Sequence, residues 1–170
     1  MADYLMQDIE LRVPDILRYA ASQHGGLIIP SFDEGGRWSR QTYAEIWSRV
    51  RQLTGALTAL GLSSQSCVAS LALNTCRHLE LYYGVTAAGH ILHTINPRFS
   101  EGQIRFTVEQ AGDAVIFFAP AFTQQAEAIA RTCPSVSTFI ALCDADSLPD
   151  ATLPGLIDYE TFIAAAAPDD

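Results

Sequence analysis

Apolar residues run along this chain in two rhythms. Short blocks without alternation recur at 27–29, 67–73, 91–95, 114–118 and 136–142, and unalternating runs of this length suit strands buried on both faces. Between them, apolar positions fall three and four apart. The clearest case covers 42–60, where Tyr43, Ile46, Trp47, Val50, Leu53, Leu57 and Leu60 form one helical stripe. Thr42 and Glu45 have the spacing of a capping box at its start, and Gly61 stands where a left-handed C-terminal cap is wanted. A second helix is predicted to open on Asn74 as N-cap and to run through Leu79, Tyr82, Tyr83 and Val85 toward Gly89. A third opens on Ser100 with Gln103 completing another capping box and ends near Gly112. A fourth spans 122–131 and is stopped by Pro134.

Strands alternating with helices require crossovers, and parallel crossovers are almost always right-handed. The expected fold is therefore α/β: a layered, mostly parallel sheet with helices on both faces. After Leu142 the character changes, with Asp144, Asp146, Pro149, Asp150, Pro154 and Gly155 in quick succession. The chain is accordingly divided into an α/β portion over 1–142 and, over 143–170, an acidic, proline-bearing linker with one more short helix at 157–167.

Composition narrows the partners. The net charge is −9 and the ten basic residues are all arginine. So acidic a chain lacks the clustered cations that neutralise phosphates, which argues against nucleic acid, and it has no lysine to offer a triphosphate. No apolar run reaches the 18 or so residues that a membrane span needs. The segment 1–14 carries Asp3, Asp8 and Glu10 without the charge and apolar pattern of a secretory signal, so a cytoplasmic location is expected. Cys67, Cys76, Cys133 and Cys143 lie far apart in apolar segments, as core thiols do.

Most short motifs fail on their context. Gly84 and Gly89 have the gap of a phosphate loop, but His90 and Ile91 follow where Lys and Ser or Thr belong, so helix packing is the better reading. Gly61-Leu62-Ser63-Ser64-Gln65 lacks the last glycine of a nucleophile elbow and precedes a strand rather than following one. His90 and His93 sit three apart where a strand begins and face opposite ways, with no further ligand beside them, so no metal site is expected. His78-Leu79-Glu80 lacks the partner Pro-Cys-x-x-Cys of a deaminase, and Asp144-Ala145-Asp146 lacks the rest of a calcium loop.

One block is more specific. Residues 74–98 read NTCRHLELYYGVTAAGHILHTINPR, a capped tyrosine-bearing helix, a short strand, and a turn at Asn96-Pro97-Arg98 made rigid by the proline. This run resembles the N-R-H-L-E-x-Y-Y and H-T-x-N-P-R-L segments of medium- and long-chain fatty acyl-CoA ligases, members of the AMP-forming adenylate superfamily. Phe99 stands where Leu is usual, and Cys76 where the family varies. Other pieces agree in order: an opening helix at 14–19, Thr42-Tyr43-Ala44-Glu45-Ile46 for T-Y-x-E-L, and Ala59-Leu60-Gly61-Leu62 before the second strand. The match covers 13–142.

The resemblance implies part of a large N-terminal ligase domain. In the intact enzyme it implies a fatty acid substrate, ATP, Mg²⁺ and CoA: acid and ATP give an acyl adenylate and pyrophosphate, and CoA displaces AMP. The family's phosphate-gripping loop with its lysine, its adenine contacts, its hinge and its C-terminal domain come later in its sequence. The chain is therefore expected to be a truncated N-terminal part without catalytic residues, inactive alone and binding none of these cofactors. The competing expectation is a stand-alone, non-enzymatic interaction or small-ligand-binding domain. His93, Asn96 and Arg98 are the candidates for a substrate pocket or for the structural turn. Apolar surface left by such a truncation leads to a further expectation, a homo-oligomer.

Overall fold

In the computed structural model, residues 10–32 and 36–169 are described. Most of the acidic N-terminal segment read above, including Asp3 and Asp8, lies outside them.

The two rhythms become a sheet with clothed faces. Five strands, β3 (Cys67–Leu71), β4 (Ile91–Thr94), β5 (Val115–Phe118), β6 (Thr138–Ala141) and β7 (Ile157–Asp158), pair in the order β4-β3-β5-β6-β7, all parallel. Because successive side chains of a strand point to opposite faces, β5 divides its residues cleanly. Val115 and Phe117 join a core with Leu53, Leu57, Leu81, Val85 and Tyr159. Ile116 and Phe118 join the opposite core with Ile104, Val108, Ala126 and Ile129. The first core is roofed by α2 (Tyr43–Ala59), α3 (Cys76–Ala87) and α6 (Tyr159–Ala164), the second by α4 (Glu101–Ala111) and α5 (Thr123–Thr132).

The helix ends follow local chemistry. Thr42 accepts from the Glu45 amide at 3.2 Å while the Glu45 carboxylate takes the Thr42 amide at 2.7 Å, and Ser100 and Gln103 repeat this reciprocal pairing. Gly112 closes α4 at φ +67°, a conformation that costs a residue with Cβ. Ile46, Val50, Leu53 and Leu57 of α2 are fully buried, each adding about 1.5 to 3 kcal/mol before entropy is counted. Gly84 is a packing glycine, since a Cβ there would stand 2.5 Å from Leu53 Cδ2.

Several expectations are corrected. The α3 cap is Thr75, not Asn74, because the Thr75 side chain is the one that accepts the His78 amide. Residues 27–29 do not form a sheet strand buried on both faces. Instead β1 (Ile28–Phe32) turns into β2 (Trp38–Thr42) as an antiparallel hairpin whose Leu27, Ile28, Phe32 and Trp38 are exposed. This hairpin joins α1 (Val13–His24) to α2. After Leu142 the short helix expected at 157–167 is present as α6, but the stretch read as linker also supplies β7 to the sheet, and Tyr159, Phe162 and Ile163 enter the first core. Cys76, Cys133 and Cys143 are buried, Cys67 is half-buried, and all four are free thiols.

Candidate functional site

In an open parallel sheet, ligands bind beyond the carboxyl ends of the strands where neighbouring crossovers leave on opposite sides. Here that switch point lies between β3 and β5, since α3 leaves β3 toward the first core and α5 leaves β5 toward the second. A cavity of about 540 Å³ opens there. Its floor is the N-terminus of α3 with Ala119 and Leu142 from the ends of β5 and β6, and its far wall is Trp38 and Gln41 of the hairpin. Two amides of the α3 terminus are already engaged: Cys76 N donates to Ser31 Oγ at 3.0 Å and His78 N to Thr75 Oγ1 at 3.3 Å.

One wall is a network of charges that three helices bring together. Glu80, fully buried on α3, accepts from Arg49 Nε at 2.7 Å and from the Tyr159 hydroxyl at 2.7 Å. Arg49 also grips Glu160 with both terminal nitrogens, at 2.8 and 2.9 Å, and its guanidinium lies 5.6 Å from the centre of the Tyr159 ring. Arg77 donates to Glu160 at 2.8 Å, to the Leu142 carbonyl at 3.3 Å, and to Asp144. Burial works against the charge of Arg49, but its bonds to Glu160 and Glu80 outweigh that and push its pKa up. Burial likewise opposes the charge of Glu160, and the bonds from Arg49 and then Arg77 bring its pKa below the ordinary value. Tyr159 is held well above the usual phenol range, first by burial and then by the neighbouring Glu80 charge.

The cavity's thiols are not nucleophiles. Burial pushes Cys143 up to about 11, and it raises Cys76 as well, so both stay protonated at neutral pH. His78 pairs through Nε2 with Ser70 Oγ at 3.0 Å, but Ser70 is sealed in β3 and burial keeps the ring neutral. That pair holds α3 to the sheet.

None of the three residues singled out from the sequence lines this cavity. His93 sits on β4, with Nδ1 2.8 Å from Oδ2 of the buried Asp113. The bond to Asp113 raises the His93 pKa against the effect of burial. Asp113 itself is raised by burial, which exceeds the opposing help from His93. Asn96 Oδ1 accepts the Arg98 amide at 3.0 Å and the Asn96 carbonyl accepts the Phe99 amide at 3.1 Å, which makes the segment a self-bonded turn leading into α4. Sequence reading did not single out Arg49, Tyr159 or Glu160, and it took in Arg77 and Glu80 only as part of the Arg77-His78-Leu79-Glu80 run without giving them a role. The available signal was Glu80, a charge four residues from Cys76 and four from Gly84 on the buried face of α3.

Comparison with known proteins fits this architecture. Residues 17–165 match the family model described as AMP-binding enzyme. The chain is 34% identical over 154 residues to a medium-chain-fatty-acid–CoA ligase of Ectopseudomonas oleovorans, covering 91% of this chain and 28% of that protein. It is 39% identical over 137 residues to a long-chain-fatty-acid–CoA ligase of Thermus thermophilus, covering 81% of this chain and 25% of that one. Among solved structures, the N-terminal domain of FACL13 from Mycobacterium tuberculosis shares the fold with a TM-score of 0.72 at 24% identity, covering 93% of this chain and 36% of that one. This chain thus spans less than a third of the length of the curated relatives it matches. The family model covers most of the chain, and the chain belongs to the AMP-binding enzyme family.

Proposed function

We propose that this chain is the N-terminal part of an AMP-forming fatty acyl-CoA ligase and that it does not turn over by itself. The identity to a medium-chain ligase over 91% of the chain and to a long-chain ligase over 81% supports the parent activity. In that parent the substrate is a fatty acid, ATP and Mg²⁺ activate it, and CoA takes up the acyl group.

The observation behind inactivity of the chain alone is that the two arginines of the charged wall, Arg49 and Arg77, are already engaged within the protein. A transferring phosphoryl or nucleotidyl group needs preorganised donors aimed at the developing charge. Arg49 and Arg77 aim theirs at Glu80, Glu160, Asp144 and the Leu142 carbonyl. The carboxylates of that network are likewise paired with arginine, and no lysine exists in the sequence. These residues do not fit a magnesium triphosphate, so no chemical step is assigned to them. They shape the cavity and lock α6 to α2 and α3.

The decisive assay is pyrophosphate release with ATP, Mg²⁺, CoA and octanoate or palmitate. No release above a heat-killed control is expected. Turnover that follows the protein through repurification would overturn the reading. A second reading, a small-ligand-binding domain, is favoured by the cavity at the switch point, and saturable calorimetric binding of a fatty acid by the chain alone would support it. We also propose that the chain self-associates, with His93, Asn96 and Arg98 serving as structure around the turn.

A further inference from the structure

The hairpin that walls the cavity is held differently at its base and farther out. β1 and β2 pair with each other and take no place in the five-stranded sheet. At the base the chain is pinned by main-chain bonds: Tyr43 N donates to the Leu27 carbonyl and Ala44 N to the Gly25 carbonyl, each at 3.1 Å. Farther out, contacts converge on one residue of α3. The Cys76 amide donates to Ser31 Oγ at 3.0 Å, and the Cys76 thiol to the Ile29 carbonyl at 3.9 Å. Burial raises that thiol, and hydrogen bonds with the Ser31 and Ser39 hydroxyls work against the rise. Both strands of the hairpin thus meet α3 at Cys76.

The burial of the hairpin is slight. Of the ten residues in β1 and β2 Ser31 alone is buried, whereas every residue of β5 is. Ile29 is half-buried against the cluster of Leu17, Ile46 and Val50, an apolar contact that separation would give up. Gln41 works the other way. It reaches Glu80 only at 3.4 Å, and its Oε1 is buried with no hydrogen-bond partner. An unmet buried acceptor is a cost that contact with water removes, so outward movement of β2 relieves it. Regions with few buried apolar contacts open at a fraction of the free energy of global unfolding.

The geometry points to the hairpin as a hinged wall of the switch-point cavity, one that swings from α3 about its pinned base while the five-stranded sheet stays intact, with Cys76 as its latch. Such a wall rests on the ligand-binding reading of the cavity and gives it an entrance. No ligand enters the test below, so either reading can fail without the other.

The thiols supply the test. Cys143 lines the cavity and is 5% exposed, whereas Cys133 does not line it and is fully buried. N-ethylmaleimide at fixed pH, followed by peptide mass spectrometry, reads how often each becomes accessible, and hydrogen exchange reads the Cys76 amide against those of β5. In the wild type, Cys143 and the Cys76 amide should both report an opening at least tenfold more frequent than the global unfolding seen by Cys133 and β5. Ser31→Ala removes the acceptor of the Cys76 amide and should quicken labelling of Cys143 about tenfold, the weight of one buried hydrogen bond, with Cys133 unchanged. If that variant does not fold, the wild-type comparison decides alone. Cys143 and the Cys76 amide opening no faster than Cys133 and β5 would overturn the hinged wall. A folded Ser31→Ala whose Cys143 labels at the wild-type rate would overturn the latch.

Discussion

Glu80 and Asp113 are both completely buried carboxylates, and the chain compensates them by different means. Glu80 has partners on three elements: Arg49 on α2, Tyr159 on α6, and Gln41 on β2 at 3.4 Å. Asp113 has His93 on one oxygen, while its Oδ1 is buried without a hydrogen-bond partner. The first carboxylate is tied to a cation that never titrates, the second to one that titrates near neutrality. Burying a carboxylate costs several kcal/mol unless partners repay it. Glu80 is thus a fixed joint between elements, and Asp113 a joint whose strength depends on pH.

The largest expected effect comes from breaking the fixed joint. Arg49→Leu leaves Glu80 without its cation and Glu160 without its bidentate partner, and should cost about 3 to 5 kcal/mol in urea unfolding at pH 7. A loss below about 1 kcal/mol would mean that Glu80 is relieved in some other way and that the contrast with Asp113 is false. His93→Gln should cost less, about 1 to 3 kcal/mol at pH 6, through the lost charge-assisted bond. Because the folded pKa of His93 is raised, its contribution is complete below the ordinary histidine value of about 6.5 and is lost as pH rises through the folded pKa. Wild-type melting temperature should therefore step down as pH rises above the ordinary histidine value of about 6.5, and the step should flatten in His93→Gln. An unchanged step would assign the pH dependence elsewhere. The smallest effect belongs to Ser100→Ala, about 1 kcal/mol, from loss of the α4 cap. Exchange at the Gln103 amide should quicken while Asp113, at the far end of α4, keeps its protection. Equal loosening at both ends would show that α4 melts as a unit and that its cap supports Asp113 too.

What could be read in the sequence was what depends on neighbours along the chain. The Thr42/Glu45 and Ser100/Gln103 boxes, the stop at Gly112 and the parallel character of the sheet, though not its strand order, follow from local spacing and short apolar runs. The hairpin was half hidden because β2 reads Trp-Ser-Arg-Gln-Thr, polar residues whose strand is made by pairing with β1 and not by burial. β7 is two residues long and leaves no periodicity to detect. Asn74 and Thr75 are both able caps, and only the helix phase chooses between them. The charged wall was illegible for a different reason: its bonds join residues 31 to 111 positions apart, and which arginine reaches which carboxylate is decided by how α2, α3 and α6 cross.

That span also sets a timetable for biosynthesis. Glu80 leaves the ribosome 79 residues ahead of the tyrosine that completes its hydrogen bonding. At about 5 to 20 residues per second the nascent chain spends roughly 4 to 16 s holding a glutamate that it cannot yet bury at low cost. During that interval α2 and α3 can meet through Arg49 and Glu80, but their shared core lacks Tyr159 and Phe162. Commitment to this packing is thereby deferred until Tyr159 and Phe162 have emerged, and ribosome stalling before residue 159 should leave a species that proteases and chaperones still recognise as unfinished.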